Sequence, residues 1–356
     1  MCSRSGTLVK FNIGQSRNSG GILQMKKILT SLFILLSLLL VSGCTADTGD
    51  KNGAKEGKLE KVTIVLDWTP NTNHTGLYVA QQKGYFAEEG LQVDIIMPGE
   101  GGAETIVAAG KADFGISAQE AVTLARSENA PIVSVAAIIQ HNTSGFASPA
   151  EKNITSPKDF EGKIYGGWGS PIEKSVIETL MKQDNADVNK VSFLNIGSSD
   201  FFTAVERDID FAWIYYGWTG IEAELRGKKL NMIYLTDFSE KLDFYTPVLI
   251  TNEEMIDKKP DIVRAFVAAV AKGYQFAINH PEEAADILLE AVPDLDEELV
   301  RRSQKWLAGK YQDDAAYWGE QKLEVWENYA SWMRENGHLD KEFAAEKAFT
   351  NEFLPK

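Results

Sequence analysis

A polar stretch at residues 67–74 carries side chains well suited to holding a small ligand. It follows the apolar, β-branched run 62–66 and precedes a helical pattern at 77–83. Open α/β sheets bind ligands at the carboxyl ends of their strands, next to helix N-termini. The residues expected to line such a crevice are Asp67, Trp68, Asn73 and His74. A helix cap at Asn73 or His74 and a core position for Trp68 would explain the pattern without a ligand.

A second acidic candidate, Glu173, follows the glycine-rich turn 166–169. It lies in the first turn of a predicted helix that has proline at residue 171. The helix dipole stabilises a carboxylate there, so capping alone would account for the residue. The same position also predicts that Glu173 faces the crevice that holds Asp67.

The densest aromatic block of the chain is 213–222, at a predicted change from strand to helix. Tyr215, Tyr216 and Trp218 lie next to glycines, where flat side chains can stack on a flat ligand. Glu222 follows Trp218 by four residues and so shares its helical face. We expect all four at the ligand, and we expect Glu222→Gln to weaken binding by about 1–3 kcal/mol if its charge meets the ligand.

The elements that position these residues alternate between strand and helix patterns, which predicts parallel sheets covered by helices. The alternation runs in two series and gives way after residue 252 to a helical pattern. It predicts two α/β lobes joined by two hinge crossings. The expected division is lobe 1 at 59–150 and 245–356, and lobe 2 at 151–244.

The N-terminal part of the chain has the pattern of a lipoprotein signal peptide. Basic residues after Met25 precede a fourteen-residue apolar run, 28–41, and small residues lead to Cys44. The run is too short to span a membrane, and its end resembles a bacterial lipobox with lipid attached to Cys44. Residues 1–43 are therefore interpreted as an upstream segment plus a signal peptide. The first 24 residues suggest that the start codon was assigned too far upstream. The polar stretch 44–58 is interpreted as a flexible tether.

Composition excludes several classes of site. Removal of residues 1–43 takes away five of the 36 basic residues and none of the 51 acidic ones, which leaves a formal charge of −20. So acidic a chain does not bind nucleic acid through bulk electrostatics. Cys2 and Cys44 are its only cysteines, which excludes thiolate metal sites and cysteine nucleophiles from the body. The histidines other than His74 have no acidic or histidine neighbours at metal-ligand spacing, so no metal and no cofactor are expected.

Several of these stretches together resemble the thiamine-pyrimidine family, which includes solute-binding lipoproteins of bacterial ABC importers and fungal enzymes of thiamine-pyrimidine synthesis. The resemblance lies in residues 66–76, 84–86, 89–91, 110–117 and 213–222. It implies a type II periplasmic-binding-protein fold. It also implies that Asp67 contacts a heterocycle.

Within that family, the enzymes have a cysteine-rich iron motif and a lysine and histidine after the third strand. This chain has Ser117 and Ala121 at the latter two places and no cysteine in its body. The resemblance thus favours a non-enzyme, with Ser117 among its ligand-binding residues.

The expected function is that of an extracytoplasmic receptor that captures N-formyl-4-amino-5-aminomethyl-2-methylpyrimidine for thiamine salvage. Its expected partners are an ABC permease and ATPase, with a lipid on Cys44 as membrane anchor and a monomeric chain. The alternatives are a receptor for hydroxymethylpyrimidine, thiamine, riboflavin or a sulfonate, or a pyrimidine-synthesising enzyme.

Overall fold

The computed structural model describes residues 59–99, 101–197, 199–339 and 343–355, which belong to one compact unit. The predicted signal peptide, the Cys44 lipidation site and the tether lie outside the described residues. Within the described part of the chain, no helix combines the length and apolar character needed to cross a membrane.

Ten strands and twelve helices make up the regular structure of these ranges. The strands are β1 Glu60–Val65, β2 Leu91–Ile96, β3 Phe114–Ser117, β4 Ile132–Ala137, β5 Ser144–Pro149, β6 Ile164–Gly167, β7 Ser192–Asn195, β8 Phe211–Tyr215, β9 Leu230–Tyr234 and β10 Val248–Asn252. The helices are α1 Thr75–Gln82, α2 Tyr85–Glu88, α3 Gly102–Ala108, α4 Gln119–Ser127, α5 Pro171–Gln183, α6 Phe201–Arg207, α7 Ile221–Leu225, α8 Glu253–Lys258, α9 Pro260–Asn279, α10 Pro281–Ala291, α11 Glu297–Leu307 and α12 Leu323–Glu335.

The strands form two five-stranded sheets with the same arrangement. The first sheet has the order β2-β1-β3-β10-β4, and the second has the order β7-β6-β8-β5-β9. In each, the first three strands in that order are parallel, and the fourth, β10 or β5, runs antiparallel to both of its neighbours. The antiparallel strand of each sheet is the one that the chain forms just after crossing from the other sheet.

The first crossing lies earlier in the chain than the sequence pattern indicated. Strand β5 pairs with β8 and β9, so residues 144–149 belong to the second sheet, whereas the expected boundary was 150. Its serines, glycine and proline give no strand-like alternation, and only pairing with two neighbours makes it a strand. Helix α12 is also shared, since Trp326 packs in a first-lobe cluster and Trp332 in the second-lobe core.

Close backbone contact fixes the helical layer of the first lobe. A Cβ on Gly273 in α9 would lie 2.0 Å from the carbonyl oxygen of Gly76 in α1, so glycine is required for this crossing. The neighbouring Tyr274 stacks on Trp318 with ring centroids 4.6 Å apart. Helix α1 and the residues before it are thereby held firmly against α9.

In the second lobe, an aromatic cluster packs around Phe146 of the interior strand β5. The ring of Phe146 lies 5.5 Å from Phe160, 5.8 Å from Tyr165 and 5.7 Å from Trp213. These buried contacts stabilise β5 at an interior position of the sheet despite its weak strand pattern.

Candidate functional site

The carboxyl ends of β1 and β3 bring Asp67 and Ser117 together at one edge of the first sheet. Ile64 and Val65 pair with Phe114 and Gly115, and continuing this parallel register places Asp67 beside Ser117. Ser117 is buried, and its hydroxyl donates a hydrogen bond to Glu104 in α3. This edge therefore carries the exposed carboxylate of Asp67 and the buried hydroxyl of Ser117, which is hydrogen-bonded to Glu104.

His74 orients the Asp67 carboxylate. Its Nδ1 accepts a hydrogen bond from the backbone N–H of Asn71 at 3.2 Å, so the hydrogen of the neutral ring is on Nε2. Nε2 donates to Asp67 Oδ1 at 2.7 Å. His74 is fully buried, whereas 36% of the Asp67 side chain is exposed. Asp67 is thus the member of the pair that a ligand can reach, and His74 positions it.

The loop that carries Asn73 is held by the C-terminal helices. The Asn73 carbonyl accepts a hydrogen bond from Tyr274 at 2.6 Å, and the Thr72 carbonyl accepts one from Tyr311 at 2.6 Å. The Thr72 hydroxyl lies 2.6 Å from that of Ser303, which donates to the carbonyl of Gly217 in the second lobe. Asn73 itself is partly buried. Ser303 of α11 therefore links the predicted ligand-binding loop to the second lobe.

Glu173 is a structural anchor in the second lobe. It is 3% exposed and accepts hydrogen bonds from the Tyr165 hydroxyl at 2.7 Å and from the Trp168 and Gly169 N–H groups at 3.0 and 2.9 Å. Gly169 has a φ of +95°, which favours glycine. The carboxylate thus fixes the turn that displays Trp168, whose surface is 47% exposed. The expectation that Glu173 contacts the ligand is therefore wrong in this structure, because its oxygens accept hydrogen bonds from its own lobe.

Tyr215 ends β8 beside this turn. Its surface is 39% exposed, and its hydroxyl lies 3.4 Å from that of Thr246 on the second crossing. Desolvation raises the pKa of Tyr215 to about 12, and the charges of Glu120 and Asp67 act in the same direction. Tyr215 therefore faces the acidic residues of the first lobe.

The structure does not bring the rest of the aromatic block to this place. Tyr216 hydrogen-bonds to Glu224 and packs on Trp306 at 5.4 Å, and Trp218 packs against the first-lobe core. Glu222 forms an ion pair with Arg226 on its own helix. A π-helical turn at Tyr216–Gly220 replaces the expected regular helix start and redirects these side chains.

Two residues of the cleft were missed by the sequence analysis. Trp168 has the same signal as Tyr215, an aromatic side chain beside glycine at a strand end. Glu120, in the first turn of α4, has no local signal, since its hydrogen-bond partner Tyr329 is far away in the chain. Trp68, which is 53% exposed, follows β1, and Trp168 follows β6. Each of these strands is the second in the order of its sheet, so the two lobes carry tryptophans at equivalent places.

This arrangement suits binding of a flat ligand that donates hydrogen bonds. Exposed aromatic rings provide stacking surfaces, and Asp67 and Glu120 accept hydrogen bonds. Among the described residues, no cluster of three or more His, Cys, Asp or Glu side chains is arranged to hold a metal ion.

The two crossings are joined by a hydrogen-bonded cluster at the hinge. His141 Nδ1 lies 2.7 Å from Asp243 Oδ2, and the Asn142 N–H donates to Asp243 Oδ1 at 2.8 Å. His141 also approaches Asp314 at 3.3 Å. The hydrogen bond with Asp243 raises the pKa of His141 from 6.5 to about 9.

The hinge cluster predicts a stability loss at alkaline pH. A histidine whose pKa is raised on folding stabilises fully below its unfolded value, here 6.5, and this contribution disappears as pH rises through about 9. Because the ring is partly exposed, we expect about 1 kcal/mol. Thermal unfolding at several pH values from 6 to 10 should show a smaller loss in His141→Gln than in the parent. Equal losses in the two proteins would contradict this.

Comparison with known proteins identifies the family of this chain. A family model described as NMT1/THI5 like matches residues 71–284. A formylaminopyrimidine-binding protein of Halalkalibacterium halodurans is 31% identical over 89% of this chain and 97% of its own length. A 4-amino-5-hydroxymethyl-2-methylpyrimidine phosphate synthase of Legionella pneumophila is 25% identical over 83% of this chain and 92% of its own length.

Solved structures agree on the fold. A ligand-binding component of an ABC-type import system from Staphylococcus aureus superposes with a TM-score of 0.64 at 16% identity, over 83% of this chain and 97% of that one. The two sheets, whose strands have the same arrangement, thus form a periplasmic-binding-protein fold. This confirms the predicted fold class.

Proposed function

The chain belongs to the NMT1/THI5-like family, and from this premise we propose that it is a solute receptor for N-formyl-4-amino-5-aminomethyl-2-methylpyrimidine in thiamine salvage. One observation carries the proposal: the exposed Asp67 carboxylate and the half-exposed rings of Trp68, Trp168 and Tyr215 all lie at or just after the carboxyl ends of β1, β6 and β8. The name of the Halalkalibacterium relative supports the choice of ligand.

The chemistry of an aminopyrimidine fits these groups. Its ring offers two flat faces for tryptophan or tyrosine, and its amino group offers hydrogens for a carboxylate. A charge-assisted hydrogen bond to Asp67 fixes the orientation of the ring. Closing of the lobes then excludes water from both faces, as in other hinge-closing receptors.

We further propose that the receptor delivers its ligand to an ABC permease and ATPase outside the cytoplasm. The fold shared with an importer component supports this role. The signal-like segment before Cys44 supports lipid anchoring, since several acyl chains on one residue give stable membrane attachment.

An enzyme of pyrimidine synthesis is the alternative, because some relatives carry that name. The cysteine-free body and the serine and alanine at positions 117 and 121 weigh against it. Incubation with pyridoxal phosphate should yield no pyrimidine product. Turnover in that assay would overturn the receptor proposal.

Titration of the purified protein with the formylaminopyrimidine, followed by tryptophan fluorescence, tests the proposal. We expect a saturable change, since two tryptophans lie at the strand ends that face the ligand. Hydroxymethylpyrimidine, thiamine, riboflavin and a sulfonate serve as competitors. Absence of any response up to high micromolar ligand, or stronger binding of a competitor, would refute the ligand assignment.

Stacking predicts separate losses for the two tryptophans. We expect Trp68→Ala and Trp168→Ala each to weaken binding by about 1–3 kcal/mol, the usual value for one stacked ring. The phenylalanine variants at the same positions serve as controls and should retain most of the affinity. Alanine variants that bind like the parent would show that the ligand lies elsewhere.

A further inference from the structure

Glu120 is a partly buried carboxylate at the strand end that carries Ser117 and Asp67. It lies in the first turn of α4, three residues after Ser117. The start of this helix is fixed by Gln119, whose side chain accepts from the Tyr245 N–H at 2.9 Å and donates to the Val325 carbonyl at 3.1 Å. The backbone that carries Glu120 is therefore fixed in position.

The groups around Glu120 are acidic or phenolic. The hydroxyl of Tyr329 in α12 donates to its Oε2 at 3.4 Å. Glu173 from α5 acts on its charge, and its own charge acts on Tyr215 from β8. On its own lobe, Glu104 of α3 is bonded to Ser117, two residues before the helix starts. No basic side chain in the described ranges forms an ion pair with Glu120.

These surroundings disfavour a negative charge on Glu120. Burial, followed by the charge of Glu173, raises the pKa of Glu120 to about 7, while the Tyr329 hydroxyl acts in the opposite direction. Asp67 differs, since it accepts a short hydrogen bond from His74. The two carboxylates of the first lobe thus have different hydrogen-bond partners.

We propose that Glu120 is a ligand-recognition residue that shares one proton with the bound aminopyrimidine, so that binding is coupled to uptake of a proton. This inference rests on the proposed function. A carboxylic acid donates its O–H to a ring nitrogen while its carbonyl oxygen accepts from the adjacent amino group. With the proton on the ring instead, the same two hydrogen bonds join a pyrimidinium ion to a carboxylate. In both forms the pair is neutral, so no unpaired negative charge faces Glu173.

The pH dependence of affinity tests this coupling. Because the complex contains one shared proton, Kd rises about tenfold per pH unit at pH values where both the free ligand and Glu120 of the free protein are deprotonated. For the full chain titrated with the formylaminopyrimidine between pH 5 and 9, we expect this rise to begin near pH 7. Calorimetry in buffers of different ionisation enthalpy should show uptake of about one proton above that pH.

Two variants assign the proton to Glu120. Glu120→Gln presents an N–H donor and a carbonyl acceptor in the same places, so it should bind with a Kd that varies less than threefold above pH 7. Tyr329→Phe removes the hydroxyl that favours the charged form and should move the break to higher pH. Glu327→Gln, at an exposed position of α12, is the control and should retain the parent profile.

The outcomes separate the inference from the function on which it rests. If Glu120→Gln binds with the parent's pH profile, the proton resides on the ligand at Asp67 or at another group, and the inference is wrong. A parent Kd that is independent of pH also overturns it, and both results leave the receptor proposal intact. Failure of the folded parent to bind at any pH would overturn the proposed function and this inference together.

Discussion

Replacement of Glu173 by alanine is expected to lower the free energy of unfolding by about 3 kcal/mol, because it leaves three hydrogen-bond donors without their acceptor. These donors are the Tyr165 hydroxyl and the N–H groups of Trp168 and Gly169. The tyrosine is fully buried, so water does not replace the lost acceptor there. Urea unfolding followed by circular dichroism measures the change.

Glu178→Ala is the matched control. Glu178 lies on the same helix, α5, and its ion pair with Lys182 is an exposed i,i+4 pair worth about 0.3–0.5 kcal/mol. The Glu173 variant should also bind ligand more weakly, because Trp168 loses the turn that displays it. Equal stability of the two variants would show that the hydrogen bonds to Glu173 do not stabilise the fold.

The candidate site residues that the sequence singled out are those with a local pattern. Asp67 was chosen because it follows an apolar strand, and Tyr215 because it belongs to an aromatic block beside glycines where a strand ends. The same rule would have identified Trp168. The two-lobed architecture followed from the alternation of strand and helix patterns, and the comparisons confirm that fold class.

The features that the sequence did not reveal depend on contacts between distant segments. Strand β5 has no alternating pattern and is defined by pairing with β8 and β9, which follow it by some 60 to 90 residues. The direction in which the Trp218 side chain points depends on a π-helical turn, and no residue spacing in the sequence indicates such a turn. The pKa of Glu120 depends, besides burial, on Tyr329 from a later helix and on Glu173 from the other lobe.

The roles of histidine and aspartate at the first strand also required atomic detail. Sequence spacing grouped His74 with the ligand-contacting residues, whereas the hydrogen bonds place it behind Asp67. Similarly, Glu222 has a charge partner in Arg226, so we expect its neutralisation to affect binding less than neutralisation of Asp67. A charged residue of the cleft is therefore expected to contribute less to ligand binding when another side chain already neutralises its charge.

Asp67→Asn is expected to weaken ligand binding by about 2 kcal/mol, or about 30-fold in Kd, since a charge-assisted hydrogen bond becomes a neutral one. The amide keeps the size of the side chain and can still accept from His74 Nε2, so the fold should be preserved. Asp94→Asn is the control, because Asp94 is exposed on β2 of the same sheet. Fluorescence titration of both variants, with melting temperatures measured in parallel, distinguishes loss of recognition from loss of structure. If Asp67→Asn retains full affinity, the amino group of the ligand has another acceptor, and Glu120 is then the carboxylate that orients the ring.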